Sequence, residues 1–306
     1  MNEFELTLLT AEQIWGSKNK EQLEVLRKYG TGSAATDLAI LKGVYTSYDL
    51  CYTDLYQKYE RKAMYWTSTP KDKERMVICT SKGTEKNWRK GNRNAGIRPV
   101  LNSNKIFEEV YSKRKLGENG TFEVEYGEYP QMLVDKKTQV LLENIYLLEQ
   151  LKKEEQRTKI KKTGKSYTFD SLPASEVNCD RQIVPVFYDE FSYNNQKYIR
   201  IWENCDRYLW VKVEPIIWLL DEENKSLISK KVLLSGIRFA PRLSSNVDFA
   251  NSDMKYYFDN FMNYEILSSS SPEFINMRLK KINEEQTRLM ALRDELLDNK
   301  KEQRSI

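Results

Sequence analysis

The chain has 306 residues, with 40% apolar residues, 31% charged residues and a formal net charge of +4, a composition typical of a folded domain and not of a disordered chain. It contains no histidine, which excludes histidine-dependent triads and histidine metal sites. None of its 4 cysteines lies in a C-x-x-C pair, so a zinc ribbon or a redox dithiol has no support. The acidic N-terminus and the lack of a long apolar run predict a cytoplasmic protein with no signal peptide and no membrane segment.

The first hundred residues predict a strand, several short helices and two buried strands. Residues 4–9 alternate in polarity, and Thr10 with Gln13 has the spacing of a capping box at the start of a helix. The segments 65–69 and 96–101 are rich in aromatic and β-branched residues, which is typical of buried strands. Arg98 lies inside the second of them, where a buried guanidinium predicts a carboxylate partner.

Between these two strands lies a polar, basic excursion. From Lys71 to Arg93 it holds eight basic and three acidic residues, and we interpret it as an exposed loop. A tryptophan in such a loop either packs back on the body or meets a partner. Five tyrosines between 45 and 59, spaced three or four apart, predict a helical face that serves either core packing or contact. The predicted partner-binding residues are Trp88, Arg89, Lys90, Asn92, Arg93 and Tyr52.

The second half predicts a linker at 104–121, an alternating strand at 122–130 and a helix at 137–157. The apolar stripe of that helix is predicted to be Leu141, Ile145, Leu148 and Leu151. From Lys152 to Lys165 there are seven basic and two acidic residues. Each basic segment is either a solvated surface or a site for an acidic partner or a phosphate backbone.

Further strands are predicted at 197–202, 209–220 and 227–229, followed by a helix near 252–261. The segment 272–304 then predicts a long amphipathic helix. Its seam positions follow the alternating four–three spacing of about three coiled-coil heptads, and they are Ile275, Leu279, Ile282, Gln286, Leu289, Arg293 and Leu296. Such a helix either self-associates into a homo-oligomer, docks on a partner or lies on its own domain.

Short motifs in both halves resemble one domain family. YWTS at 65–68 and GIRPVL at 96–101 resemble the closing half of an uncharacterised bacterial domain family that is similar to the C-type-lectin-like and formylglycine-generating-enzyme-like superfamily. YGEYPQ at 126–131 and EPIIW at 214–218 resemble its opening half. The reversed order fits either two incomplete modules or one circularly permuted domain.

The resemblance implies an α+β fold with a twisted, mostly antiparallel sheet, flanking helices and a loop-rich face. The implied organisation is a lectin-like half at 1–103, a linker at 104–121, a second half at 122–267 and the C-terminal helix at 272–304. Relatives that oxidise cysteine use a close cysteine pair and relatives that hold iron use histidines, and this chain has neither feature. The resemblance therefore does not imply an enzyme, and no cofactor or metal site is predicted.

Three functions stay open at this point. The first is a non-catalytic bacterial or phage-encoded binding protein that presents the excursion to a protein partner. The second is a nucleic-acid-directed regulator, or an inhibitor of a nucleic-acid-handling complex, that uses the two basic segments. The third is an enzyme that uses a carboxylate or Cys79, although no sequence motif supports it.

Overall fold

The computed structural model of the chain describes residues 5–46, 61–162, 189–203, 207–240 and 248–263, together with Ile266. The first third of the chain contains β1 (Glu5–Leu8), α1 (Ala11–Trp15), α2 (Glu24–Tyr29), β2 (Ser33–Ala34), α3 (Asp37–Leu41), β3 (Lys62–Ala63), β4 (Tyr65–Pro70), β5 (Arg75–Cys79), β6 (Glu85–Arg89) and β7 (Pro99–Asn102). The rest contains α4 (Asn104–Tyr111), β8 (Lys115–Leu116), β9 (Phe122–Leu133), α5 (Lys136–Lys162), β10 (Asp189–Tyr193), β11 (Gln196–Glu203), β12 (Arg207–Asp221), β13 (Ser226–Ser229) and α6 (Asp253–Tyr257).

Short helices begin at side-chain caps. The capping box predicted at the start of α1 is confirmed, because Thr10 accepts from the Gln13 amide and the Gln13 side chain accepts from the Thr10 amide. The hydroxyls of Thr36, Ser103 and Ser252 accept an amide three residues further on at α3, α4 and α6. These caps fix where each helix leaves its neighbouring strand or loop.

Eight strands form one antiparallel sheet. Six of them follow the order β1-β7-β13-β12-β11-β10, and β9 joins by pairing with both β12 and β8. The 15-residue β12 is the central strand, because it pairs with β11, β9 and β13 along its length. Leu101 of β7 lies opposite Leu227 of β13, so the sheet joins segments that are distant in sequence.

The main hydrophobic core draws on the whole described chain. Trp66, Trp218 and Phe239 are fully buried in it, and the rings of Trp66 and Phe239 lie 5.9 Å apart. A second, smaller cluster lies between α5 and the sheet and contains Val134, Leu142, Phe191 and Trp210. Mixed helices around antiparallel sheets confirm the α+β class. The C-terminal helix predicted at 272–304 lies outside the described residues.

The helix predicted at 137–157 is confirmed as α5, but its buried face is not the predicted stripe. Leu142 is fully buried, whereas Leu141, Leu148 and Leu151 are 44%, 57% and 56% exposed. Only Ile145 of the predicted stripe packs against the cluster under α5. The spacing of the predicted stripe correctly indicated a helix, but helical periodicity does not show which face of the helix packs against the sheet.

The excursion after β4 is folded, and its interpretation as a loop is wrong. β4, β5 and β6 form a separate three-stranded antiparallel sheet, which we call the meander. Met76, Val77, Ile78 and Cys79 of β5 are all buried, so the middle strand is held by apolar contacts on both faces. The many charges around this four-residue apolar run hid its strand pattern.

Arg98 is fully buried, as expected, but its predicted carboxylate partner is wrong. Its Nε donates to the Ser229 carbonyl at 2.9 Å, and its Nη1 donates to the Tyr65 hydroxyl at 3.2 Å and to the Thr31 carbonyl at 3.3 Å. The guanidinium carbon lies 5.3 Å from the centroid of the Tyr65 ring. Within the described ranges, neutral oxygens and an aromatic face take the place of a counter-ion.

Candidate partner-binding surface

The meander is anchored to the main core through β4. The Trp66 amide donates to the Gly96 carbonyl at 2.9 Å, and the Gly96 amide donates to the Met64 carbonyl at 2.9 Å. The side chains of Tyr65 and Trp66 are fully buried. β4 is therefore fixed on the body, the buried β5 lies beside it, and β6 forms the outer edge of the meander.

The ladder between β5 and β6 fixes which backbone groups of β6 point outward. At one end the Thr80 amide donates to the Thr84 carbonyl at 2.9 Å, and at the other the Lys90 amide donates to the Glu74 carbonyl at 2.9 Å. Bonded and non-bonded residue pairs alternate along an antiparallel ladder. Since the bonded pairs at both ends involve even-numbered residues, the odd-numbered residues of β6 direct their amides and carbonyls away from β5.

These outward groups form an open strand edge. No strand of the described chain pairs with the outer side of β6. The Arg89 carbonyl accepts from the Asn92 amide at 3.0 Å, which closes the edge at its far end. The remaining outward groups are the Arg89 amide and the amides and carbonyls of Glu85 and Asn87, and an extended segment of another molecule could pair with them.

Unpaired cations surround this edge. Six exposed basic side chains of the meander and its flanks form no ion pair with any described residue, and they are Lys71, Lys73, Lys82, Lys86, Arg89 and Arg93. Glu74 and Glu85 are the exposed carboxylates of the meander that lack such a pair. The surface therefore carries a clear positive excess that attracts anionic groups.

Arg75 and Arg89 lie directly opposite each other across the β5–β6 ladder. Like charges in this position repel. Asp72 compensates one of them, because its Oδ2 accepts from Arg75 Nε at 2.7 Å, and this contact with Arg75 is the main reason the pKa of Asp72 is lowered. Arg89 has no such partner in the described residues. It lines an open cleft of about 390 Å³ together with Asp72, Lys73, Glu74 and Arg75, and its guanidinium is of the type that binds a carboxylate or a phosphate.

Trp88 stabilises the inner side of β6. It is half-buried against the main core, and its ring lies 5.9 Å from that of Tyr45 at an angle of 81°. Lys86 Nζ lies 5.3 Å from the Trp88 ring centroid, within the range of a cation–π contact. The indole thus packs back on the body, while its neighbour Lys86 stays exposed beside it.

The six predicted site residues are distributed unevenly over this surface. Arg89 and Arg93 are exposed, and Trp88 and Asn92 are half-buried. Lys90 is only 3% exposed, so we leave it out of the contact surface. Tyr52 lies outside the described residues. The open edge formed by Glu85 and Asn87 was missed, although the apolar run 76–79, followed by a charged turn that contains Gly83, would have predicted a hairpin.

Groups that could support chemistry are sparse in the described part of the chain. Cys79 is fully buried, and burial raises the pKa of its thiol, which disfavours the nucleophilic thiolate. No cluster of three or more potential metal-ligating side chains occurs among the described residues. Within the same ranges, none of the helices combines the length and apolarity needed to cross a bilayer.

Comparisons with known proteins do not assign the chain to a family. No protein-family model matches it, and neither the curated proteins nor the solved structures gave a significant match. The function is therefore argued from the meander itself.

Proposed function

We propose that the chain is a non-catalytic binding protein whose meander captures an extended acidic segment of a protein partner. The observation that carries this proposal is the open edge of β6, with its outward backbone groups set among unpaired cations. Strand addition at such an edge takes its affinity from backbone hydrogen bonds and its specificity from side chains on alternate positions.

The charge of the surface selects the partner. Lys73 and Arg89 lie at the cleft end of the meander, and Lys86 projects from β6. An extended segment with Asp or Glu at alternate positions would pair its backbone with β6 and place its carboxylates near these cations. Exposed ion pairs each add little affinity, so the charges act mainly on the association rate and on specificity.

The C-type-lectin-like relationship belongs to this proposal and supports it. A lectin-like scaffold uses rigid strands to present a variable surface, and the meander, anchored at Trp66 and Gly96, would be that surface. A bacterial or phage origin and a cytoplasmic location remain part of the same proposal.

Nucleic acid is the second candidate partner. The six unpaired cations of the meander favour it, and α5 adds the exposed Lys152 and Lys153 at the start of the second basic segment. Half-buried Trp88 packs on Tyr45, which leaves little of the stacking surface that single-stranded nucleic acid needs. We therefore rank it second.

A displayed library of random ten-residue peptides tests the proposal. We expect the wild-type chain to enrich sequences with acidic residues at alternate positions. A variant with Lys73→Glu and Lys86→Glu should lose at least about tenfold in affinity for them, or about 1.4 kcal/mol. The matched control carries Lys113→Glu and Lys137→Glu, which change two exposed lysines outside the meander, and it should bind like wild type.

A fluorescent 20-nucleotide single strand and a 20-base-pair duplex are titrated in parallel at several salt concentrations. Salt-dependent binding to either probe, without enrichment of any peptide, would overturn the protein-partner proposal in favour of nucleic acid. Equal loss of peptide binding in both double-lysine variants would also overturn it, because the meander would then have no special part.

A further inference from the structure

The open edge of β6 differs at its two ends. At Glu85 both the amide and the carbonyl point outward and are open to a partner. At Arg89 only the amide is open, because the Arg89 carbonyl accepts from the Asn92 amide at 3.0 Å. The chain then enters the body, since Lys90 is only 3% exposed and its carbonyl accepts from the Phe239 amide at 2.9 Å. The edge therefore stops at Arg89 with a backbone donor but no open backbone acceptor.

The same end of the edge carries a positive charge. Arg89 is exposed and forms no ion pair with any described residue. In the cleft beside it, the cations of Lys73, Arg75 and Arg89 face the carboxylates of Asp72 and Glu74. Asp72 is already bonded to Arg75, so Glu74 is the carboxylate of the cleft that opposes an incoming anion. The Arg89 end thus offers a backbone N–H and a guanidinium to an acceptor that bears negative charge.

We propose that the segment captured by β6 is a free protein C-terminus, which runs parallel to β6 and places its terminal carboxylate at Arg89. This inference rests on the proposed function and specifies which part of the partner is recognised. A terminal carboxylate accepts hydrogen bonds, carries negative charge and is followed by no further amide. A segment that continued past Arg89 would bring another amide to a carbonyl that Asn92 already occupies.

A parallel C-terminal segment would use every open group of the edge. Its last residue donates to the Asn87 carbonyl, and its carboxylate accepts from the Arg89 amide. The residue two positions earlier accepts from the Asn87 amide and donates to the Glu85 carbonyl. The residue four positions earlier accepts from the Glu85 amide. These bonds match the outward donors and acceptors of β6 one for one.

Charge sets the direction of the added strand. An antiparallel segment would end at the opposite end of β6, where its terminal carboxylate would lie beside the exposed carboxylate of Glu85. Like charges on neighbouring strands repel. A parallel segment instead brings its terminal carboxylate to the guanidinium of Arg89, where a charge-assisted hydrogen bond stabilises it.

Two displayed libraries of random ten-residue peptides test the proposal. One library has free C-termini, and in the other the C-terminus is fused to the carrier. We expect the full chain to enrich acidic peptides at least about tenfold more strongly from the first library. The best sequence is then synthesised as the free acid and as the C-terminal amide, and the acid should bind at least about tenfold more tightly in fluorescence anisotropy.

A variant of Arg89 tests where the carboxylate binds. Arg89→Gln should lower the ratio of acid to amide affinity at least about threefold, because it removes the charge and keeps the backbone N–H. The matched control is Arg27→Gln, which changes an exposed arginine of α2 outside the meander, and it should keep the wild-type ratio.

Methylated peptides test the register. Methylation of the last backbone nitrogen should weaken binding, because its N–H faces the Asn87 carbonyl. Methylation of the preceding nitrogen should not, because that N–H points away from β6. Equal effects of the two methyl groups would contradict the register.

Four further results would overturn the proposal. Equal enrichment from both libraries, or equal affinities of the acid and the amide, would show that an internal segment binds, and the proposed function would stand. A wild-type ratio in Arg89→Gln would show that the carboxylate does not bind at Arg89. Enrichment from neither library would overturn the proposed function together with this inference. A dimer of the chain that Asn87→Pro abolishes would show that a second copy covers the edge.

Discussion

At the scale of single residues, Arg98 is a charge buried without a counter-ion among the described residues. Arg98 is fully enclosed, three of its contacts are to neutral oxygens, and its Nη2 has no partner among the described residues. Its position between Thr31, Tyr65 and Ser229 links three segments of the chain. Arg98 therefore links these three segments through its hydrogen bonds, while burial of its charge destabilises the folded state.

Substitutions of Arg98 should separate shape from charge. Arg98→Met removes the charge and its hydrogen bonds, and we expect it to lower the free energy of unfolding by about 1–3 kcal/mol. Arg98→Lys should cost at least about 1 kcal/mol more, because the ammonium keeps the charge but cannot reach all three acceptors. Urea unfolding of both variants measures the order. A lysine variant more stable than the methionine variant would contradict this account.

Three tyrosines in buried or half-buried positions make the stability of the fold fall at high pH. Burial raises the pKa of Tyr126 to about 12 from an ordinary value of 10.0, and burial also raises the pKa values of Tyr29 and Tyr65. A tyrosine whose pKa is higher in the folded state favours folding while it is neutral. Its contribution is complete below pH 10 and is lost as pH rises towards 12.

Tyr126→Phe should therefore flatten the decline of stability at high pH. We expect the free energy of unfolding of the wild type to fall between pH 10 and pH 11.5, and to fall less steeply in Tyr126→Phe. Tyr256→Phe is the control for loss of a tyrosine hydroxyl, because Tyr256 is 54% exposed. Equal slopes in wild type and Tyr126→Phe would contradict the assigned role of burial.

At the scale of elements, β6 and α5 each have one side fixed on the body and one side open. β6 is held by its ladder to β5 and by the packing of Trp88. α5 is held by the buried Leu142 and by Glu143, whose carboxylate accepts a hydrogen bond from the Trp210 indole N–H. The open side of β6 is basic and has free backbone groups, whereas the open side of α5 is apolar.

Local patterns predicted the elements better than their surroundings. The capping box at Thr10 and the helical period of α5 could be predicted from the sequence, because both depend on residues only a few positions apart. The buried face of α5 could not be predicted, because the residues that it packs against, such as Trp210 and Phe191, come from strands far along the chain. The meander was missed because its apolar part is only four residues long and lies among charged residues.

At the scale of the whole molecule, distant segments close one sheet. β1 and β7 come from the first third of the chain, and β7 pairs with β13 near its end. The central β12 then connects that pairing to β9, β11 and β10. Sequence alone predicted most of these strands, but not their partners, because the pairing of residues such as Leu101 and Leu227 has no local signal. The partner of Arg98 was unpredictable for the same reason.

The central claim is that the outer edge of β6 binds an extended acidic segment, and one substitution tests it most directly. The backbone N–H of Asn87 points away from β5. Asn87→Pro therefore removes an outward backbone donor but none of the hydrogen bonds between β5 and β6. Asn87→Ala is the matched control, because it removes the same side chain and keeps the backbone N–H.

The measurement is the affinity of both variants for an acidic peptide selected by the wild-type chain. We predict a loss of at least about tenfold for Asn87→Pro, or about 1.4 kcal/mol, and wild-type binding for Asn87→Ala. Wild-type affinity in a folded Asn87→Pro variant would contradict the claim.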